Sequence, residues 1–264
     1  MKKVRVEAST KKDRTSEIFG NPMSKKVIRK AQKSKQKNQK KYGDDSKVNY
    51  QCIIRDNPCI GEPLGVKNVV VTRKEGKGSF DEEKGVIVGN IRMGFGHYRI
   101  SMAIASAAHA LGYTPYWMDL NSYPETTCTK LISAQNELYS LGSRISQKSK
   151  LFNKFVWEPV NYEGFRQLSY NAADQKNAEL MAPVYHSVPK DIPVIATHVW
   201  PAQAAVHAGM KHVVNAIPDN WPMALHYAQG SLHTVQTHYA YQGYRIGNGM
   251  MKDKVVQAMP PQDL

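Results

Sequence analysis

Cysteine is scarce in this chain. The three present, Cys52, Cys59 and Cys128, are an odd number and follow neither a Cys-x-x-Cys nor a Cys/His zinc spacing. A disulfide framework is therefore not expected, and a reducing cytosol is the default compartment. No apolar run approaches the ~20 residues that cross a bilayer. The N-terminus has lysines but no apolar stretch of the secretory kind. These absences predict a cytoplasmic protein, with peripheral contact at the inner face of the membrane left open. Acidic residues are scarce at one end only. Residues 1–50 hold 16 Lys/Arg and 5 Asp/Glu, a net +11, whereas the other 214 residues hold 20 and 17, a net +3. The charge thus belongs to a tail and suits a polyanion such as an anionic bilayer surface. RNA-recognition signatures and other nucleic-acid motifs are missing, so nucleic acid is not an expected partner.

What is present divides into four stretches. Residues 1–48 are polar, rich in Lys, Ser and Gln, and read as a disordered basic tail. Residues 49–84 alternate short β-like runs with turn residues and read as a small lead-in. Residues 85–250 read as one Rossmann-like α/β domain with a doubly wound parallel sheet. Residues 251–264 read as a C-terminal tail or linker. The domain opens on Gly85–Asn90, an apolar run suited to a strand buried on both faces. A glycine turn follows, then a helix over Tyr98–Leu111 with Ile100, Ile104, Ala107, Ala108 and Leu111 on one face, ended by Gly112. A second strand runs to Asp119, completing a βαβ unit. Two or three helices occupy 124–190, with Leu131, Leu138, Leu141, Ile145, Phe152, Phe155 and Val156 as candidate core. A second α/β rhythm starts at Pro193.

The strongest local signal is the turn Arg92-Met93-Gly94-Phe95-Gly96-His97-Tyr98-Arg99. A turn between a strand and a helix presents free backbone N–H groups and the positive end of the helix dipole, which favour an anion or phosphate. Gly94 and Gly96 let a ligand come close to the backbone, Phe95 lies between them, and Arg92 and Arg99 offer charge-assisted bonds. The spacing is neither a Walker A nor the full dinucleotide fingerprint. His97 stands where open α/β sheets bind ligands and is the candidate general base. Later strand ends carry His198, Trp200, Asp219, Trp221 and His226, which suit a sugar or another polar ligand. His233 and His238 lack a Cys or carboxylate to complete a metal set, so no metal and no cofactor is expected.

The stretches GFGHYRISMAIASAAHALG, VIATHVWPAQAAVHAG and VVNAIPDNWPMALHYA together resemble the N-terminal, acceptor-side domain of the monogalactosyldiacylglycerol synthase-like glycosyltransferases. Those are related to the peptidoglycan N-acetylglucosaminyltransferase and share the GT-B fold. The resemblance covers roughly residues 85–245. It implies that His97 activates an acceptor hydroxyl, that Gly94 and Gly96 form the loop, and that Asp219, Trp221 and His226 line the acceptor side. It implies a nucleotide-sugar donor and a lipid-like or polyprenyl acceptor. Phe95 stands where that family usually has a glycine, and Pro218-Asp219 where it has Thr-Asp. After Gly249 only 15 residues remain, so the expectation is that a missing or separate domain binds the donor. The alternative is a non-catalytic Rossmann-like module that binds a phosphorylated or sugar ligand.

Overall fold

The computed structural model describes residues 14–248, apart from 75, 77 and 78, together with 255–257. In chain order the elements are β1 (Glu17–Ile18), β2 (Asn21–Pro22), α1 (Lys25–Tyr42), β3 (Gln51–Asp56), α2 (Gly61–Leu64), β4 (Lys67–Thr72), β5 (Gly85–Asn90) and α3 (Phe95–Ala110). Next come β6 (Thr114–Asp119), α4 (Thr127–Lys148), α5 (Lys150–Phe152), π-helical turns at Asn153–Trp157 and Val160–Gly164, and α6 (Leu168–Ala178). The last are β7 (Val194–Ala196), α7 (Val199–His207), β8 (Val213–Ala216), β9 (Leu232–Val235), α8 (His238–Asn248) and β10 (Val255–Gln257). Eight strands form one sheet in the order β10-β9-β8-β7-β5-β6-β4-β3. Every neighbouring pair is parallel except β3 with β4.

This is the expected doubly wound α/β sheet, with β5 between β6 and β7. All six β5 residues are buried, as a strand covered on both faces requires. Val88 and Trp117 share one face with Ala105 of α3. Ile87, Val194 and Ala196 share the other with Ala202 and Ala205 of α7. Helices α3 and α7 thus lie on opposite faces. The sheet grows from β5 to β6 on one side and from β7 onward on the other, which makes the β5/β7 boundary a topological switch point. The helix α3 starts at Gly94, with φ 75°, and ends before Gly112, with φ 82°. Both conformations belong to glycine.

Four expectations are corrected. First, part of the basic tail is built into the fold. Ser24 caps α1 by accepting from the Val27 N–H. Ala31 is buried, Val27 packs against the cluster around Ala172, Lys35 pairs with Glu179 at 2.6 Å and Asn38 bonds Asn177. The apolar stripe Val27-Ala31 is short, but α6 supplies the surface it needs. The tail residues 1–13 lie outside the described ones. Second, the lead-in 49–84 is no appendage: β4 extends the sheet beside β6, and β3 closes that edge. Third, α3 faces the sheet with its small residues. Ser101, Ala105 and Ala108 are buried, whereas Leu111 is 76% exposed. Trp117 packs with Ala105 beneath the helix and edge-on against Tyr98 at 5.0 Å between centroids. Fourth, Leu138, Leu141, Ile145, Phe155 and Val156 are exposed, and only Leu131 of the proposed 124–190 core residues is fully enclosed. Beyond Ile132 the helix α4 leaves the sheet and packs on the π-helical turns.

Candidate functional site

The site follows from the switch point. The turn after β5 and the loop after β7 leave adjacent strands at their carboxyl ends, and their side chains meet there. The Nδ1–H of His97 donates to the carbonyl oxygen of Thr197 at 2.5 Å. A carbonyl can only accept, so the neutral imidazole keeps its lone pair on Nε2. One turn along α3, the Ser101 hydroxyl donates to the His97 carbonyl at 2.9 Å and accepts from the Thr197 hydroxyl at 2.9 Å. His97 is therefore held from two sides, and its Nε2 is the ring atom available to a ligand. Burial lowers its pKa, a shift opposed by the Thr197 carbonyl and by the charge of Asp219. The base form is thus favoured at neutral pH.

His198 caps α7. Its Nδ1 accepts from the Trp200 N–H at 3.2 Å, and its ring meets that of His97 edge-on, centroids 4.9 Å apart. Burial holds it well below the usual histidine range, and the neighbouring His97 and His226 push the same way. His226 Nε2 lies 3.1 Å from the Asp219 carboxylate, and its Nδ1 lies 2.7 Å from the Tyr244 hydroxyl. With Tyr244 donating to Nδ1, the Nε2–H donates to Asp219. That bond lowers the Asp219 pKa. His97, His198, Asp219 and His226 thus form one electrostatic group contributed by three successive strand ends.

The remaining residues named from sequence sit around this group or apart from it. Gly94, Phe95 and Gly96 are exposed, and nothing comes within 4 Å of where a Cβ on Gly94 or Gly96 would stand. The positive φ belongs to Gly94; Gly96 is already helical. Arg92 does not point freely at a ligand. Its Nε pairs with Asp119 at 2.8 Å, and its backbone N–H donates to Asn121, tying the turn to the end of β6. Arg99 is exposed on α3. Trp200 is a packing residue, 5% exposed, with its indole N–H directed at Asp174 at 3.4 Å. Burial pushes that carboxyl up to about 7. Trp221 is partly exposed between Tyr162 and Tyr239, with Arg166 over its ring.

The chain matches the model of a family described as a domain of unknown function (DUF6937) over residues 17–246. It belongs to that family. No curated protein and no solved structure matches it. The matched span starts in β1 and ends in α8, so the hairpin and α1 are part of the family's domain. Among the described residues no group of three or more His, Cys, Asp or Glu could hold a metal ion. No helix among them is long and apolar enough to cross a membrane.

Sequence reasoning missed four residues of the site. Thr197 acts through its backbone carbonyl, which no side-chain pattern reports. Ser101 is a small residue within an alanine-rich helix, although its position four after His97 puts both on one helix face. Tyr244 lies 18 residues beyond His226, and the spacing gives no cue to their contact. Asn90 is fully buried at the end of β5, and neither its side-chain oxygen nor its nitrogen has a protein partner. A polar residue ending an otherwise apolar strand was its one visible signal.

Proposed function

We propose that this domain binds a hydroxyl-bearing acceptor of lipid-like character and activates it for inverting sugar transfer from a nucleotide-sugar. The observation that carries this reading is the His97–Thr197 bond, which leaves Nε2 as a neutral base at the switch point. The acceptor O–H would give its proton to Nε2 as the oxygen bonds the anomeric carbon. The bond from that carbon to the nucleotide's diphosphate would break, leaving its electron pair on the phosphate oxygen. The imidazolium so formed would be supported by the Thr197 carbonyl and the Asp219 charge. Asp219, held by His226, would accept from a second acceptor hydroxyl. The donor would bind on a further domain. The domain would work at the inner face of a membrane, where such an acceptor resides.

A second reading is a non-catalytic module that holds a phosphorylated or sugar ligand at the same turn. The open space at Gly94 and Gly96 favours it.

The test is sugar transfer from a panel of radiolabelled nucleotide-sugars to extracted lipids. It is run with the chain alone and with a separately expressed donor-binding domain, beside NMR of the imidazole resonances titrated with alkyl glycosides. His97→Gln should bind the glycoside as the parent does and lose transfer by about 100-fold or more. Glycoside binding with no transfer under any condition supports the non-catalytic module. If no glycoside or nucleotide-sugar moves the His97 resonances, both readings fail.

A further inference from the structure

Nine of the fifteen exposed large hydrophobic side chains among the described residues fall between 138 and 162. They include Leu138, Leu151 and Phe155, which are 71%, 72% and 67% exposed. The stretch is a formed surface. Trp157 lies against Gly142 of α4, where any side chain would collide with its ring, and it packs on Tyr139 at 5.1 Å between centroids. The second strand of this helical pair is built partly from π-helical turns, which are rare and concentrate at functional positions. Exposed apolar patches of this kind mark an interaction surface.

The charges decide what covers it. Lys148, Lys150 and Lys154, all exposed, flank Leu151 and Phe155, and Arg144 lies on the same stretch; of the exposed acids, Glu137 and Glu163 lie at its two ends and only Glu158 within it. Asn153 bonds that carboxylate. A second copy docked by two-fold symmetry through Leu151 and Phe155 would bring the lysines around them against the same lysines. A bilayer containing anionic lipid meets both demands at once: apolar side chains enter the acyl boundary while the cations stay among the phosphates. We propose that the 138–162 helical pair docks this domain on an anionic membrane surface, with Leu151 and Phe155 as the inserting residues. This differs from docking through the basic N-terminus, because the exposed side of α1 carries Lys30, Lys33 and Lys37 with no large apolar neighbour among the exposed residues. The inference does not rest on the sugar-transfer reading. One end of the surface nevertheless reaches the site, since Tyr162 lies 5.8 Å from Trp221.

The experiment is co-sedimentation of the full chain with vesicles of phosphatidylcholine, with and without about one-third phosphatidylglycerol. Anionic vesicles should bind about tenfold more tightly or better, and Trp157 emission should shift to the blue. Leu151→Glu with Phe155→Glu should abolish most of that binding while melting temperature and circular dichroism stay unchanged, because both side chains are exposed. Lys30→Glu/Lys33→Glu/Lys37→Glu on α1 should reduce binding only modestly. Three outcomes overturn the proposal. The double variant sediments like the parent; the α1 variant alone removes binding; or the parent ignores vesicles and instead forms an oligomer, or holds an acidic protein, that the double variant releases.

Discussion

Helices α3 and α4 look alike in sequence and meet opposite fates. Both follow a strand end, α3 from Gly94 and α4 from Thr126, whose hydroxyl accepts from the Thr129 N–H, and both carry bulky aliphatic residues at helical spacing. In α3 the small residues Ser101, Ala105 and Ala108 face the sheet. Ile100 and Ile104 flank that line, half-buried. In α4 the first turns, Thr127 to Ile132, are buried, and the aliphatic residues after them face outward. Periodicity fixes that a helix forms and which residues share a side. It does not fix which side is covered, because that depends on the layer opposite. Opposite α3 stands the sheet, where Val88 and Trp117 meet small Ala105 beneath the helix with Tyr98 and Met102 at its flanks; the outer half of α4 packs on the π-helical turns.

The largest effect that sharpens this contrast is a pair of truncations. Met118→Ala removes a side chain with no exposure from the sheet's centre and should cost about 2–5 kcal/mol. Leu138→Ala should change stability by less than about 0.5 kcal/mol, since its side chain is already in solvent. Chemical denaturation of both variants decides it. Equal losses would mean that 138 is buried in solution and that the contrast between the helices is false.

Glycines come next in size, and each region has one that matters. Gly142→Ala places a Cβ into the Trp157 ring and should cost about 1–3 kcal/mol by splaying the α4 pair, with a red shift of Trp157 emission. Gly94 has open space but sits at φ 75°, ψ −179°, a conformation almost confined to glycine. Gly94→Ala should cost about 1–3 kcal/mol through backbone strain alone. Gly96→Ala, inside the first turn of α3 with nothing near its Cβ, should be neutral or slightly stabilising. Thermal melts of the three variants suffice. A destabilised Gly96→Ala would show that the turn is not helical where α3 is assigned.

Much of the sheet was legible in the sequence. Gly85–Asn90 is the strand the apolar run predicts, Gly112 ends α3, and the strands β7, β8 and β9 belong to the α/β rhythm that starts at Pro193. Such short, continuously apolar strands announce themselves because both faces are covered. The edge was not legible. β3 and β4 alternate burial weakly and read equally well as a separate appendage. The basic helix was not legible either, since its few apolar residues count only once α6 is in place. At the site, the side chains His97, His198, Asp219 and His226 could be named, because strand ends after a glycine turn are where such sheets carry chemistry. Their arrangement could not. The bond that sets the His97 tautomer runs to a main-chain oxygen 100 residues away.

The smallest effect separates the two regions by pH. The site holds His97 and His198 below the usual histidine range, chiefly by burial, whereas residues 138–162 contain no histidine. In the unfolded chain both imidazoles take up protons near pH ~6.5. The folded chain resists until lower pH, so their contribution to stability is complete above ~6.5 and is lost as pH falls toward their folded values. Asp174 works against them. Its carboxyl, raised to about 7 by burial, contributes most at low pH and loses that contribution as pH rises from ~4 to about 7. Asp219, lowered by its bond to His226, loses its own contribution only below ~4, outside the window. The parent's slope is therefore a difference of opposing parts, and a variant is needed to isolate one. His97→Gln keeps a donor for the Thr197 carbonyl but cannot titrate. Between about pH 7.5 and 5.5 it should lose less melting temperature than the parent. Amide exchange in β5 and α3 of the parent should quicken over the same range, while exchange in the outer half of α4 stays level. An unchanged slope in His97→Gln would show that His97 is already open to solvent and protonates freely, which would remove the neutral base at the switch point.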